Sequence, residues 1–176
     1  MYNYKKKTMG FIDIISSLLM LGLVAFIAFI VNLIMRARSS PEHDKMSFRE
    51  AMDLVSLPIV TFKQGDIKLN FLLDTGASFS VINEGSLDGI VYSKTNIEGY
   101  LYGIEGNKTK CNYIDLNLSY KNKHYKESFQ VADLSVSFGN IKESSGVVLH
   151  GILGSSFFEK YKYILDFQEL VAYSKL

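Results

Sequence analysis

The spacing of apolar positions changes along the chain and divides it into segments. From Ile14 to Met35 the residues are uncharged and mostly apolar. At roughly 1.5 Å of rise per residue, a helix of this length is long enough to cross a bilayer. The following letters, MRARSS, offer no clear small-residue cleavage site, so the segment predicts a retained transmembrane helix rather than a signal peptide. Residues 1–13 are then a basic N-terminal tail.

Residues 36–55 are polar and charged and contain Pro41, which predicts a juxtamembrane linker, with a short helix expected around Ser47–Leu54. From residue 56 the pattern changes to short runs of alternating apolar and polar residues separated by turn signals. The predicted elements are a hairpin of Leu57–Phe62 and Ile67–Leu73, a second of Tyr113–Tyr120 and Tyr125–Ala132, a brief helix at Gly154–Tyr161, and a last hairpin of Tyr163–Asp166 and Leu170–Tyr173. Residues 56–176 therefore predict one all-β domain with little helix.

Composition removes several classes of function. Lys+Arg 19 against Asp+Glu 18 leaves a formal net charge of +1, which gives no basic excess for nucleic acid. Cys111 is the single cysteine, so no intramolecular disulfide can form. The three histidines are scattered without the spacing of a zinc site. We expect no metal and no cofactor.

The residues that can carry chemistry follow an apolar run, in the stretch FLLDTGASFSVI from Phe71 to Ile82. Asp74, Thr75 and Gly76 end the run, and an acid at the end of a buried strand is expensive unless its charge is shared or hydrogen-bonded. Gly76 lets the backbone turn tightly near the carboxylate. An ordinary strand-to-turn Asp-Thr-Gly is the alternative, and the tripeptide alone does not decide between them.

Two further segments favour a catalytic Asp-Thr-Gly over an ordinary turn. The letters HGILGSSFF, from His150 to Phe158, set two apolar residues before a glycine and a short predicted helix. Between the two motifs lies the glycine-rich turn YGIEGN, from Tyr102 to Asn107. In this order, the three motifs resemble the retroviral-type aspartic peptidase family, in which Asp-Thr-Gly pairs with a downstream apolar-apolar-Gly segment and a flap hairpin lies between them. The resemblance covers roughly Leu57 to Leu176.

The resemblance implies a retropepsin-like acid protease fold, a closed β-barrel half-lobe with one short helix. It implies that Asp74, Thr75 and Gly76 are catalytic. Substrate binding would fall to Ala77 and to the flap tip, Gly103, Ile104, Glu105 and Gly106. Structural support of the site would come from Ile152, Leu153 and Gly154. Glu105 departs from the viral pattern, where a glycine is typical, and makes the flap tip stiffer and negatively charged.

One Asp-Thr-Gly supplies one carboxylate, whereas the chemistry of this family needs two, and the domain is too short for two lobes. A homodimer solves this, since a two-fold axis sets Asp74 beside its own copy. The sequence thus predicts a membrane-anchored aspartic endopeptidase that binds a peptide or protein substrate. The alternatives are a non-catalytic dimeric peptide-binding or adaptor module of the same fold, and a tethered β-domain with a fortuitous Asp-Thr-Gly.

The orientation of the predicted span is the remaining question. Three lysines, at positions 5–7, precede it. Four positive residues follow it, so positive charge gives no decisive bias: Arg36, Arg38, Lys45 and Arg49. The short basic tail is typical of an uncleaved signal anchor, which favours a domain outside the cytoplasm.

Overall fold

The computed structural model describes residues 11–38, 45–102 and 108–174, and it divides into two compact units, Met1–Glu42 and His43–Leu176. In the described part of the first unit, the helix α1 runs from Phe11 to Arg38 and includes the segment Ile14–Met35. The described large apolar side chains of α1, such as Leu19 and Phe26, are exposed. Among the residues described, no helix is long and apolar enough to cross a membrane.

The second unit is mostly β. Its elements in chain order are β1 (Met46–Ser47), α2 (Arg49–Val55), β2 (Ile59–Gln64), β3 (Ile67–Leu73), β4 (Val81–Asn83), β5 (Ser93–Tyr102), β6 (Lys108–Tyr120), β7 (Lys123–Ala132), α3 (Ser135–Ser145), β8 (Gly151–Leu153), α4 (Ser155–Tyr161), β9 (Tyr163–Asp166) and β10 (Val171–Ser174). The turn between β2 and β3 contains Gly65 at φ 60°, a conformation that favours glycine.

Two sheets organise these strands. The larger has the order β2-β3-β8-β4-β7-β6-β5, and one further pair, Lys63 with Ser119, joins β2 to β6. The order of paired strands therefore returns on itself from β2 round to β6. Only β3–β8 and β4–β7 are parallel among the described pairs. The smaller sheet has the order β1-β10-β9. The closed half-barrel of the sequence analysis stays a prediction.

The main core lies inside the larger sheet and is rich in aromatic rings. Phe62 packs edge-on against Phe71, Tyr125 and Phe157, with ring centroids 5.5–6.1 Å apart. Burying each such ring contributes roughly 1.5–3 kcal/mol, and edge-to-face contact adds to that. Phe71 lies in β3, opposite Gly151 of β8, and Phe157 lies in α4. Because Phe62 contacts both rings, this core holds β3 and α4 at a fixed separation.

The predicted hairpins and the brief helix near Gly154–Tyr161 are present, but two features differ from the expectation. In the described part of the second unit, α2 and α4 match the two short helices expected around Ser47–Leu54 and Gly154–Tyr161, whereas α3 was not expected. The pattern of α3 is weak, because Phe138 is its only buried residue. The folded unit also begins before residue 56. Met46 and Phe48 are 0% and 1% exposed, so their burial brings part of the predicted linker into the core.

Candidate active site

Asp74 lies directly after β3, where the strand ends and the chain turns. Its side chain is half-buried, and Thr75 and Gly76 after it are exposed. The Gly76 amide donates to Asp74 Oδ1 at 2.8 Å, and the Ala77 amide donates to the Asp74 carbonyl at 3.3 Å. The turn thus fixes one carboxylate oxygen, Oδ1, by a local hydrogen bond, while the Asp74 residue stays partly exposed. This is the arrangement in which a carboxylate can be oriented and still be reached by a ligand.

The loop is held from below by β8. Strands β3 and β8 are parallel neighbours with Leu73 opposite Leu153, and the Asp74 amide donates to the Leu153 carbonyl at 3.0 Å. Gly154 then passes under the loop so closely that an added Cβ would lie 2.5 Å from the Phe79 carbonyl oxygen and 2.8 Å from that of Ala77. Since both neighbours are backbone atoms, any side chain at residue 154 would push the loop away.

The first residues of α4 bind the same loop. The Ser155 amide donates to the Ala77 carbonyl at 2.7 Å, and the Ser156 amide donates to the Ser78 carbonyl at 3.2 Å. The Ser155 hydroxyl lies within hydrogen-bond distance of the carbonyls of Thr75, at 2.8 Å, and Ala77, at 3.0 Å. The sequence analysis did not single out Ser155. Its place directly after the apolar-apolar-Gly segment is the signal that could have identified it.

A buried polar network lies behind the loop. The Ser80 hydroxyl donates to Glu127 Oε1 at 2.9 Å, and Glu127 Oε2 lies 3.3 Å from Lys160 Nζ. The Gly154 amide donates to Ser80 Oγ at 3.3 Å. Burial raises the pKa of Glu127 above its ordinary value, although the bonds from Ser80 and Lys160 oppose the shift. Glu127 was also missed, yet a signal existed: period two places it on the inward face between Tyr125 and Phe129.

An aromatic surface borders the loop on its exposed side. Phe79 is 49% exposed, and its ring meets that of Tyr113 edge-on with centroids 6.4 Å apart. The Tyr113 hydroxyl accepts a hydrogen bond from Gln130 Nε2 at 2.7 Å. Tyr113 also lies against Gly99 of β5, where an added Cβ would be 2.6 Å from its ring. The β5–β6 hairpin is therefore packed next to the Asp74 loop through Tyr113.

The predicted site residues fall into two groups. Those of the loop and of its support are brought together: Asp74, Thr75, Gly76, Ala77, Ile152, Leu153 and Gly154. The predicted flap tip, Gly103, Ile104, Glu105 and Gly106, lies outside the described residues, between Tyr102 of β5 and Lys108 of β6. The catalytic, substrate-binding and supporting roles assigned to all of them stay predictions. Within the described ranges, no group of three or more His, Cys, Asp or Glu side chains could hold a metal ion.

Comparison with known proteins identifies similar structures but no matching sequence family. No family model and no curated protein matches the chain. EIAV protease complexed with the inhibitor HBY-793 is 22% identical, with 59% of this chain and 86% of that chain covered and a TM-score of 0.41. The retroviral protease-like domain of Ddi1 from Leishmania major is 10% identical, with 66% and 90% covered and a TM-score of 0.42. Two of the solved structures similar to this mostly-β chain are therefore a retroviral protease and a retroviral protease-like domain.

Proposed function

We propose that the chain is an aspartic endopeptidase that works as a homodimer, with one Asp74 contributed by each subunit. The observation that carries the proposal is the Asp74 turn itself. Its carboxylate is oriented by the Gly76 amide at 2.8 Å, at the exposed end of a buried strand. Backbone atoms of Leu153, Gly154 and Ser155 brace that turn from below. Such bracing is expected where a reacting group must be held in one position.

The chemistry follows from bringing two such carboxylates together. Two neighbouring carboxyl groups do not both ionise readily, so they share one proton. The ionised group removes a proton from a water molecule, whose oxygen attacks the carbonyl carbon of the peptide bond. The protonated group donates a hydrogen bond to the developing oxyanion. When the C–N bond breaks, the amine takes a proton from the pair, and a new carboxyl and a new amino terminus are released.

The attachment to a membrane is part of the same proposal. This part rests on the sequence alone, in which the uncharged segment Ile14–Met35 is about long enough to cross a bilayer. We expect the peptidase unit on the extracytoplasmic side. Flotation of the full chain with vesicles, before and after an alkaline wash, tests the attachment. Recovery of the washed chain in the soluble fraction would remove this part of the proposal and leave the chemistry untouched.

The decisive experiment compares two aspartates at opposite ends of β3. The full chain in vesicles is incubated with a mixed peptide library, with and without a hydroxyl-containing aspartic-peptidase inhibitor, and the products are identified by mass spectrometry. We expect cleavage that the inhibitor blocks and that Asp74→Asn abolishes. Asp66→Asn, which changes an exposed aspartate in the turn before β3, should cleave as the wild type does.

Each other outcome has a definite meaning. Cleavage by Asp74→Asn at a comparable rate would show that a different group does the chemistry. Tight binding of extended peptides without any cleavage, by the wild type and by Asp74→Asn alike, would favour the peptide-binding or adaptor module instead.

A further inference from the structure

The side chain of Glu127 lies inside the protein, behind the loop that carries Asp74. It is 4% exposed and points inward from β7. An ionised carboxylate in such surroundings loses the hydration that favours its charge. A folded-state pKa above the ordinary value means that Glu127 makes the fold less stable, not more, as pH rises through its titration. Stability alone therefore does not account for a charged group at this position.

Both oxygens of the carboxylate have partners, and the partners belong to different elements. Oε1 accepts a hydrogen bond at 2.9 Å from the hydroxyl of Ser80, which lies at the end of the Asp74 loop. Oε2 faces the ammonium group of Lys160 in α4 at 3.3 Å, and Lys160 also donates to the carbonyl of Lys126 in β7. Glu127 is thus the point at which β7, the loop and the end of α4 meet.

The link to the loop depends on the direction of one hydroxyl group. Ser80 is 0% exposed. Its one hydroxyl hydrogen points to Glu127 as a donor, so its oxygen accepts the hydrogen bond from the Gly154 amide, at 3.3 Å. Gly154 is the residue against which the carbonyls of Ala77 and Phe79 pack. If Glu127 were protonated on Oε1, its own O–H would donate to Ser80 Oγ, so the Ser80 proton would have to leave Oε1 and the hydroxyl would lose the acceptor that sets its direction.

We propose that Glu127 is a positioning residue for the Asp74 site, whose ionised carboxylate orients the Ser80 hydroxyl and thereby keeps Gly154 bound to the loop. Its meaning for catalysis rests on the proposed function, whereas the hydrogen-bond relay does not. Protonation of Glu127 loosens the loop, so the site has an acid limit that is set away from the reacting carboxylates.

The charges that face Glu127 predict how this limit can be moved. Lys160 in α4 favours the ionised form, whereas Asp115 in β6 opposes it by like charge. Lys160→Met should therefore raise the pH at which Glu127 titrates, and Asp115→Asn should lower it. Like Glu127, Asp115 contacts one serine and one lysine, Ser128 at 2.5 Å and Lys126 at 3.4 Å. Both partners belong to β7, so Asp115 itself makes no such contact with the Asp74 loop.

The relay is tested without any peptidase assay. The amide resonance of Gly154 is followed by NMR in the full chain from about pH 7 to about pH 4, in an Asp74→Asn background in which residue 74 carries no carboxylate. We expect one titration with a midpoint above that of an ordinary glutamate, which Glu127→Gln abolishes. Lys160→Met and Asp115→Asn should move it in opposite directions. A Gly154 titration that persists unchanged in Glu127→Gln would overturn the proposal.

The consequence for catalysis is tested with Asp74 intact. Glu127→Gln should lower kcat several-fold with little change in KM, and the acid limb of the pH profile should shift or vanish, which a merely structural role would not cause. An active enzyme whose acid limb is unaltered in Glu127→Gln contradicts the positioning role. If no variant cleaves anything while the Gly154 titrations behave as expected, the proposed function fails and the relay stands.

Discussion

Asn70 and His150 exchange two hydrogen bonds between β3 and the residue before β8. The Asn70 amide donates to His150 Nδ1 at 3.0 Å, and the His150 amide donates to the Asn70 carbonyl at 2.9 Å. A ring nitrogen that accepts from a backbone N–H must be unprotonated, so this histidine is neutral in the fold. Burial lowers the pKa of His150 below its ordinary value.

The first prediction is a loss of stability in mildly acidic solution. Because the folded-state pKa of His150 is depressed, the unfolded chain takes up the proton first as pH falls below about 6.5. The free energy of unfolding should decrease from there until the folded-state pKa is reached. In His150→Asn the side-chain oxygen can accept the same hydrogen bond without titrating. The free energy of unfolding, measured in urea at a series of pH values, should therefore depend less steeply on pH. His124→Asn, on the exposed side of β7, is the control and should keep the wild-type slope. Equal slopes in all three proteins would contradict the prediction.

The second prediction concerns the space under the loop. Gly154→Ala should lower the free energy of unfolding by about 1–3 kcal/mol, since its Cβ meets backbone atoms that cannot rotate away. Cleavage should fall further than the loss of folded protein explains. Gly139→Ala is the matched control: it lies within α3, an added Cβ meets nothing within 4 Å, and alanine should stabilise the helix by up to about 1 kcal/mol. Thermal unfolding checks both. A neutral Gly154→Ala would mean that the loop adapts freely.

The third prediction separates two neighbouring serines. Ser155→Ala removes a hydroxyl that lies 2.8 Å and 3.0 Å from two carbonyl oxygens of the loop, so it should lower the free energy of unfolding by about 1 kcal/mol and reduce cleavage. Ser156 contributes its backbone amide to Ser78, which alanine retains, so Ser156→Ala should stay within about 0.5 kcal/mol of the wild type. Chemical denaturation and a fixed-substrate assay measure the difference. Indistinguishable serine variants would argue against the side-chain bond.

The fourth prediction tests the shared site. If each dimer needs two intact Asp74 carboxylates, random pairing with an equal amount of Asp74→Asn should reduce the activity per wild-type subunit to about one half. Dilution of the dimer should lower specific activity as subunits separate. Mixing with Asp66→Asn, which keeps Asp74, should leave the activity per Asp74-containing subunit unchanged. An activity that stays proportional to wild-type subunits in the Asp74→Asn mixture would contradict a site built from two chains.

The sequence predicts the local parts of the site better than the contacts that join them. The turn after β3 could be predicted because apolar alternation ends at Asp74 and Gly76 follows. The position of Gly154 next to the loop could be predicted only through the family resemblance, because the Phe79 carbonyl oxygen, which an added Cβ would meet at 2.5 Å, lies far away in sequence. Helix α3 escaped prediction because its one buried side chain, Phe138, leaves almost no periodic signal.

The polar network shows a different limit. Period two indicated that Glu127 faces inward, but the pattern could not say what compensates a buried charge. The compensation comes from Ser80 in a loop and Lys160 near the end of a helix, and only the tertiary structure brings these two residues to Glu127. The burial of Met46 and Phe48 escaped for the same reason, since their partner strand β10 lies at the other end of the domain.

The parallel pairing of β3 with β8 has a consequence for the order in which the molecule is assembled. Thr75 and the Ser155 hydroxyl that binds it are 80 residues apart, and such distant contacts form only after a large loss of chain entropy has been compensated elsewhere. On the ribosome, Asp74 emerges long before its support. The nascent chain therefore holds an unbraced Asp74 turn until β8 and α4 have been synthesised and packed. The braced form of this turn is therefore acquired late, and a product of synthesis interrupted before β8 lacks it.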